Sequence, residues 1–151
     1  MYLMRYERGM YGYAVTTTAL TELGRLRGEM ITHGASSAAR ERFARNYLAV
    51  LAAQARGATT VRALAEGQMV GPGSSIDKLL FAKAEKDIND LILDVRREWM
   101  MTGTGASAGK ELNAARAKWW YTRAATIMGG SAEVQRGIIA DHILGLPKEK
   151  K

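Results

Sequence analysis

Between Ser74 and Trp99 the apolar residues Ile76, Leu80, Ala84, Ile88, Leu91, Ile92, Val95 and Trp99 recur at spacings of mostly three and four. That period is the signature of one helix face and does not fit a β-strand. A long helix that is apolar along one side has to bury that side against other elements. No other segment alternates convincingly between apolar and polar residues over a strand's length. The pattern therefore predicts an all-α fold, an antiparallel four-helix bundle. Only two prolines occur, Pro72 and Pro147. Both fall at boundaries of predicted helices, where the missing N–H does least harm.

The remaining helices follow from similar spacing. A first helix is predicted from about Leu3 to Met30, with Leu3, Tyr11, Ala14, Val15, Thr18, Leu23, Leu26 and Met30 as its apolar positions. Gly9, Gly12, Gly24 and Gly28 weaken it by about 1 kcal/mol each relative to Ala. Such a helix needs tertiary support or uses its glycines for close packing. Thr32 to Ala35 reads as a link. Ser36 or Ser37 can cap a second helix, which carries a stripe of Phe43, Tyr47, Leu51, Ala55 and Ala58 and ends near Gly67. Val70 to Gly73 is a loop, and Ser74 to Asp77 fits the serine-x-x-acid start of a third helix. Thr102 to Gly109 reads as a small-residue loop, and Glu111 to Ile127 as a fourth helix. Ser131 is expected to cap a fifth, with Val134, Ile138, Ile139 and Ile143 inward. Gly145 and Pro147 end it. Residues 1–147 thus read as one domain and 148–151 as a charged tail.

Composition narrows the chemistry. There are no cysteines, so disulfides and thiolate chemistry are excluded. The two histidines, His33 and His142, are far apart, which argues against a histidine-rich metal site. The net charge of +7 would suit nucleic acid, a membrane surface or a phosphorylated ligand. Arg40, Arg42, Arg45, Arg56 and Arg62 are spread along one predicted helix and read first as a solvated face or subunit contact. No zinc-finger spacing or RNA-binding signature accompanies them, so a nucleic-acid module ranks third among the readings. The uncharged run Gly9 to Thr21 is too short to span a bilayer. The start MYLMRYERG does not resemble a secretory signal, and a cytoplasmic location is expected. Trp119, Trp120 and Tyr121 read as packing or an oligomer contact.

The segment from Gly129 to Pro147 reads GGSAEVQRGIIADHILGLP. A diglycine lets backbone approach a ligand closely, and a capped helix start offers N–H groups and a positive end. The same residues also suit a plain interhelix turn with a serine cap. The segment resembles the C-terminal signature of the acyl-CoA dehydrogenases. Three further stretches support the likeness in the same order and spacing: YTRAATI at 121–127, GPGSSIDKLL at 71–80 and MRYERG at 4–9.

The resemblance implies the family's C-terminal α-helical domain, FAD as cofactor, and α,β-dehydrogenation of an acyl-CoA thioester. It implies that Gly129, Gly130, Ser131 and Glu133 lie beside the flavin. Many members carry the catalytic glutamate where this chain has Gly129, which cannot abstract a proton. Other branches carry the base on the domain's first helix, at the position of Glu7. A thioester α-proton is weakly acidic and needs a positioned carboxylate whose pKa is raised by burial. Arg8 matches an arginine beside the acyl-CoA, and a guanidinium suits a phosphate or carbonyl oxygen. For both residues a surface ion pair is the alternative. The family's N-terminal α and middle β domains have no counterpart in these residues, so the chain alone is expected to be inactive. The implied partners are a second copy or a longer acyl-CoA dehydrogenase subunit, with electron-transfer flavoprotein as a possible acceptor. A second reading is a non-catalytic subunit or truncated remnant acting as an oligomerisation module.

Overall fold

The computed structural model describes residues 2–102 and 106–147, with side chains described for 10–97, 109–110 and 113–147. Among the described residues five helices follow one another: α1 Tyr2–His33, α2 Ser37–Ala65, α3 Ser74–Thr102, α4 Ala106–Ala125 and α5 Ala132–His142. Among the described residues there is no strand. Ser36 caps α2 by accepting a hydrogen bond from the Ala39 N–H at 3.1 Å. The Thr102–Gly109 segment differs from expectation: α3 runs to Thr102 and α4 already starts at Ala106. Its alanines and serine are compatible with a helix, which packing against α3 then stabilises.

Cross-helix pairs set the directions. Tyr13 meets Gly57 and Thr17 meets Gln54, so α2 runs back along α1. Arg42 pairs with Asp94 and Thr60 with Asp77, so α3 reverses again. Asp90 meets Trp119 and Lys78 meets Ala125, so α4 is antiparallel to α3. The helices α1, α2 and α3 pack on one another, and α4 and α5 both lie against α3. An ion pair at 3.9 Å between Lys118 of α4 and Glu22 of α1 joins the fourth helix to the first.

The core comprises Ala19, Leu23, Leu26 and Met30 of α1, Val50 of α2, and Ala84, Ile88, Leu91 and Ile92 of α3. Much of the period predicted for α3 is therefore inward, but Leu80 is exposed while Phe81 is buried. In α2 the inward face is Asn46, Val50, Ala53, Gly57 and Thr60. Most of the predicted stripe sits a quarter-turn away, with Tyr47 and Leu51 exposed, while Phe43 packs partly buried against the core and stacks on Tyr47. Small or self-satisfied residues let α2 approach closely, so bulk was a poor guide to its inner face. Asn46 donates to the Arg42 carbonyl at 3.0 Å, and a Cβ at Gly57 would lie 3.7 Å from the Tyr13 backbone. Gly12 is similarly employed in α1, since a Cβ there would meet the Phe81 ring at 2.8 Å.

The start of α3 is built on buried polar groups. Ser74 does not act as the expected cap; it is already helical, and its hydroxyl donates to the Gly71 carbonyl at 3.2 Å. Asp77 is buried, accepts a 2.5 Å hydrogen bond from Thr60 and is ion-paired to Arg56 at 3.0 Å. Burial pushes the Asp77 carboxyl up from its ordinary value, against the opposing effects of Thr60 and Arg56.

Candidate functional site at the diglycine turn

Helix α4 ends at Ala125, and the chain tightens as Ile127 and Met128 both donate to the Ala124 carbonyl at 2.9 and 2.8 Å. Gly129 and Gly130 follow with φ of +70° and +103°, in the left-handed region that glycine adopts most cheaply. Two side chains hold this turn. Gln135 of α5 is 1% exposed, and its Nε2 donates to the Gly129 carbonyl at 3.0 Å. A Cβ at Gly130 would fall 2.4 Å from that same Nε2. Lys78 of α3 is buried, donates to the Ala125 carbonyl at the end of α4, and places its ammonium 5.2 Å from the Phe81 ring centroid. Its Cε lies 3.7 Å from where a side chain at 129 would begin.

Neither Gln135 nor Lys78 was singled out from the sequence. The signal was nonetheless present. Gln135 shares a helix face with Ile138 and Ile139, and Lys78 with Phe81 and Ala82. A polar residue in an apolar face asks for a specific partner.

Ser131 caps α5 as expected, its hydroxyl accepting from the Val134 N–H at 3.4 Å. The inward set of α5 is different from the predicted one. Gln135 is the buried residue, Ile138 and Ile139 are half-buried, and Val134 and Ile143 are exposed. The reason is that, among the described residues, α5 packs on α3 and on no other helix, so a narrow face is covered.

The positive end of α5 is answered by the chain itself. Glu133 receives hydrogen bonds from its own N–H and from the Ser131 hydroxyl, and these hold its carboxyl below the ordinary value; Arg136 adds to the effect. Arg136 approaches Glu133 at 3.8 Å, with both side chains exposed. An anion arriving at this helix end would therefore compete with Glu133. A ligand hydroxyl or N–H, in contrast, would find a ready acceptor.

The side chains of Glu7 and Arg8 lie outside the described ones, although both positions belong to α1. Position 7 is one turn before Tyr11, whose ring meets Phe81 edge-on at 5.6 Å. The backbone thus brings the start of α1 to the same end of the bundle as Lys78 and the diglycine turn. Further along this face, Glu85 of α3 lines a 270 Å³ cleft with Tyr11, Ala14, Val15, Ile88 and Lys118. Burial pushes the Glu85 carboxyl up, opposed by Lys118 and Lys78, and its Oε2 is buried without a hydrogen-bond partner. Among the described residues no group of His, Cys, Asp and Glu is placed to hold a metal ion, and no helix is long and apolar enough to cross a membrane.

Comparison with known proteins agrees with this architecture. Residues 3–144 match the family model for the acyl-CoA dehydrogenase C-terminal domain. The chain is 36% identical over 101 residues to acyl-CoA dehydrogenase IpdE1 of Mycobacterium tuberculosis, covering 63% of this chain and 25% of that protein. It is 38% identical over 90 residues to acyl-CoA dehydrogenase IpdE1 of Mycolicibacterium smegmatis, covering 59% of this chain and 22% of that protein. The matched region is about a quarter of the length of these curated relatives. No solved structure matches the chain significantly. The chain belongs to the acyl-CoA dehydrogenase family, of whose C-terminal helical domain it is a member.

Proposed function

We propose that this chain supplies the C-terminal helical part of a flavin-dependent acyl-CoA dehydrogenase, acting in α,β-dehydrogenation of an acyl-CoA thioester. The observation that carries the reading is the diglycine turn, held on one side by Lys78 and on the other by Gln135, with Ser131 and Glu133 at its mouth. FAD, when bound, supplies the acceptor for the β-hydride. These acceptors fit the flavin's hydroxyl-bearing and N–H-bearing parts better than its phosphates, because the Glu133 carboxylate is exposed at the helix start with the half-buried Ser131 hydroxyl beside it. Gly129 and Gly130 would let the backbone approach the cofactor, and Glu133 and Ser131 would orient it.

Glu7 is proposed as the base that takes the α-proton, and Arg8 as a contact to the acyl-CoA. The left-handed φ at Gly129 supports a base drawn from another element. Exposed apolar side chains along α4, the turn and the segment after α5, among them Trp120, Ile127, Leu144 and Leu146, support a surface covered by a second copy or a longer dehydrogenase subunit. Electron-transfer flavoprotein is the acceptor proposed for the assembled enzyme.

The test is purification of the tagged chain from its source cells under mild salt. A co-purifying longer chain with bound flavin supports the reading. In that complex Glu7→Gln should abolish turnover and leave flavin absorbance intact. Retained turnover would remove Glu7 from the mechanism. A chain that only self-associates, with no flavin-bearing partner, would favour the oligomerisation-module reading.

A further inference from the structure

Among the described residues, α1 and α4 both pack on α3 but not on each other. Their separation leaves the cleft of about 270 Å³ over α3, bridged by the 3.9 Å ion pair of Lys118 with Glu22. Tyr11, Ala14, Val15 and Ala19 of α1 and Ile88 of α3 give it apolar walls. A dry apolar cavity of about 150 Å³ is enough to hold benzene, so this space suits a body of about two fused rings.

One carboxyl is set among these walls. Glu85 lines the cleft, and its Oε2 is buried with no hydrogen-bond partner. A buried oxygen left unanswered costs stability, and most such groups in folded proteins have a partner. Donors of the lining are engaged elsewhere. The Thr18 hydroxyl donates to the Ala14 carbonyl at 3.1 Å, and the Asn89 amide to the Glu85 backbone carbonyl at 2.8 Å. Burial raises the Glu85 carboxyl above its ordinary value, opposed by Lys118 and Lys78, so its neutral form gains weight in the fold.

The charges around the cleft select the ligand. A cation would meet Lys118 in the lining and Lys78 acting on the same carboxyl. An anion would meet Glu22 and Glu85. A hydroxyl is neutral and both donates and accepts, so it answers the carboxyl in either protonation state.

We propose that the α1–α3–α4 cleft binds a neutral small molecule with an apolar body of about two rings and one hydroxyl, which hydrogen-bonds to Glu85. Tyr11, Val15 and Ile88 cover the body, and the Glu85 carboxyl fixes its orientation. The inference rests on the shape of this cleft and on its stranded oxygen, and it does not require the flavin reading.

The test is titration of the isotope-labelled full chain with 2-naphthol and, separately, with naphthalene, followed by amide resonances. Saturable shifts from 2-naphthol are expected at residues 11–19 and 85–89. Glu85→Met keeps the side-chain bulk and removes the carboxyl. It should lower the ratio of 2-naphthol to naphthalene affinity by about tenfold, because the ratio isolates the hydroxyl's bond from the apolar contact. The charged analogues 2-naphthoate and 2-naphthylmethylammonium should each bind about tenfold more weakly than 2-naphthol. An unchanged ratio in the Glu85 variant, shifts centred on another surface, or absence of saturation would overturn the proposal. Binding of either charged analogue as tight as that of 2-naphthol would overturn it too.

Discussion

At the residue scale, the informative groups are polar side chains set into apolar surroundings. Asp77 and Glu85 both have carboxyls raised by burial. A raised folded pKa means that folding favours the protonated acid. The stabilising contribution is full below the unfolded carboxylate range and is lost as pH rises through the raised folded value. Stability measured by urea denaturation should therefore decline through these two groups as pH rises above the ordinary carboxylate range. Glu85→Met should flatten that decline and raise stability by about 1 kcal/mol at the upper end, because an orphaned buried oxygen is replaced by an apolar group. Asp77→Ala should cost about 2 kcal/mol, since it strands Thr60 and Arg56, with Arg56 still partly solvated. Asp77→Asn should cost clearly less, because it keeps an acceptor for the Thr60 hydroxyl. Equal losses for the two variants would show that the carboxylate charge matters more than burial.

At the scale of elements, each helix is held by a contact that depends on a small residue or a paired one. Gly12 of α1 faces the Phe81 ring with no room for a Cβ, so Gly12→Ala should push α1 from α3 and cost about 2 kcal/mol. Adding Phe81→Leu should recover part of that loss in thermal unfolding. If Phe81→Leu simply adds its own penalty, the ring is not what resists the methyl group. Helix α4 is fastened by Trp119, whose indole N–H donates to Asp90 at 2.6 Å beneath the Arg123 guanidinium, 4.4 Å from the ring. The turn depends on Gly130, where any side chain meets a strained φ and the Gln135 amide. Gly130→Ala should cost about 2 kcal/mol or more and should raise hydrogen exchange at residues 128–131 first.

At the scale of the molecule, α3 touches all four other helices and makes the bundle one cooperative unit. Leu91→Ala, at a fully buried site on α3, should cost about 3 kcal/mol and lower a single unfolding transition. Val134→Ala, on exposed α5 surface, should stay within about 0.5 kcal/mol. Two transitions in the Leu91 variant would mean that α4 and α5 fold apart from the rest. Much of this architecture could be read along the chain. The helical period of α3, the Ser36 and Ser131 caps, and the breaks at Pro72 and Gly145 are local signals, and local hydrogen bonding enforces them. The sequence by itself thus determined helix number, order and approximate limits, and the family signature at 129–147. What it could not reveal is which face of a helix meets which neighbour. The inward side of α2 carries Asn46, Gly57 and Thr60, chosen by close approach and by a partner on α3, so residue bulk pointed elsewhere. Likewise, Lys78 and Gln135 acquire their roles at the turn only when α3, α4 and α5 are brought together, because a buried charge or amide is defined by partners distant in the chain.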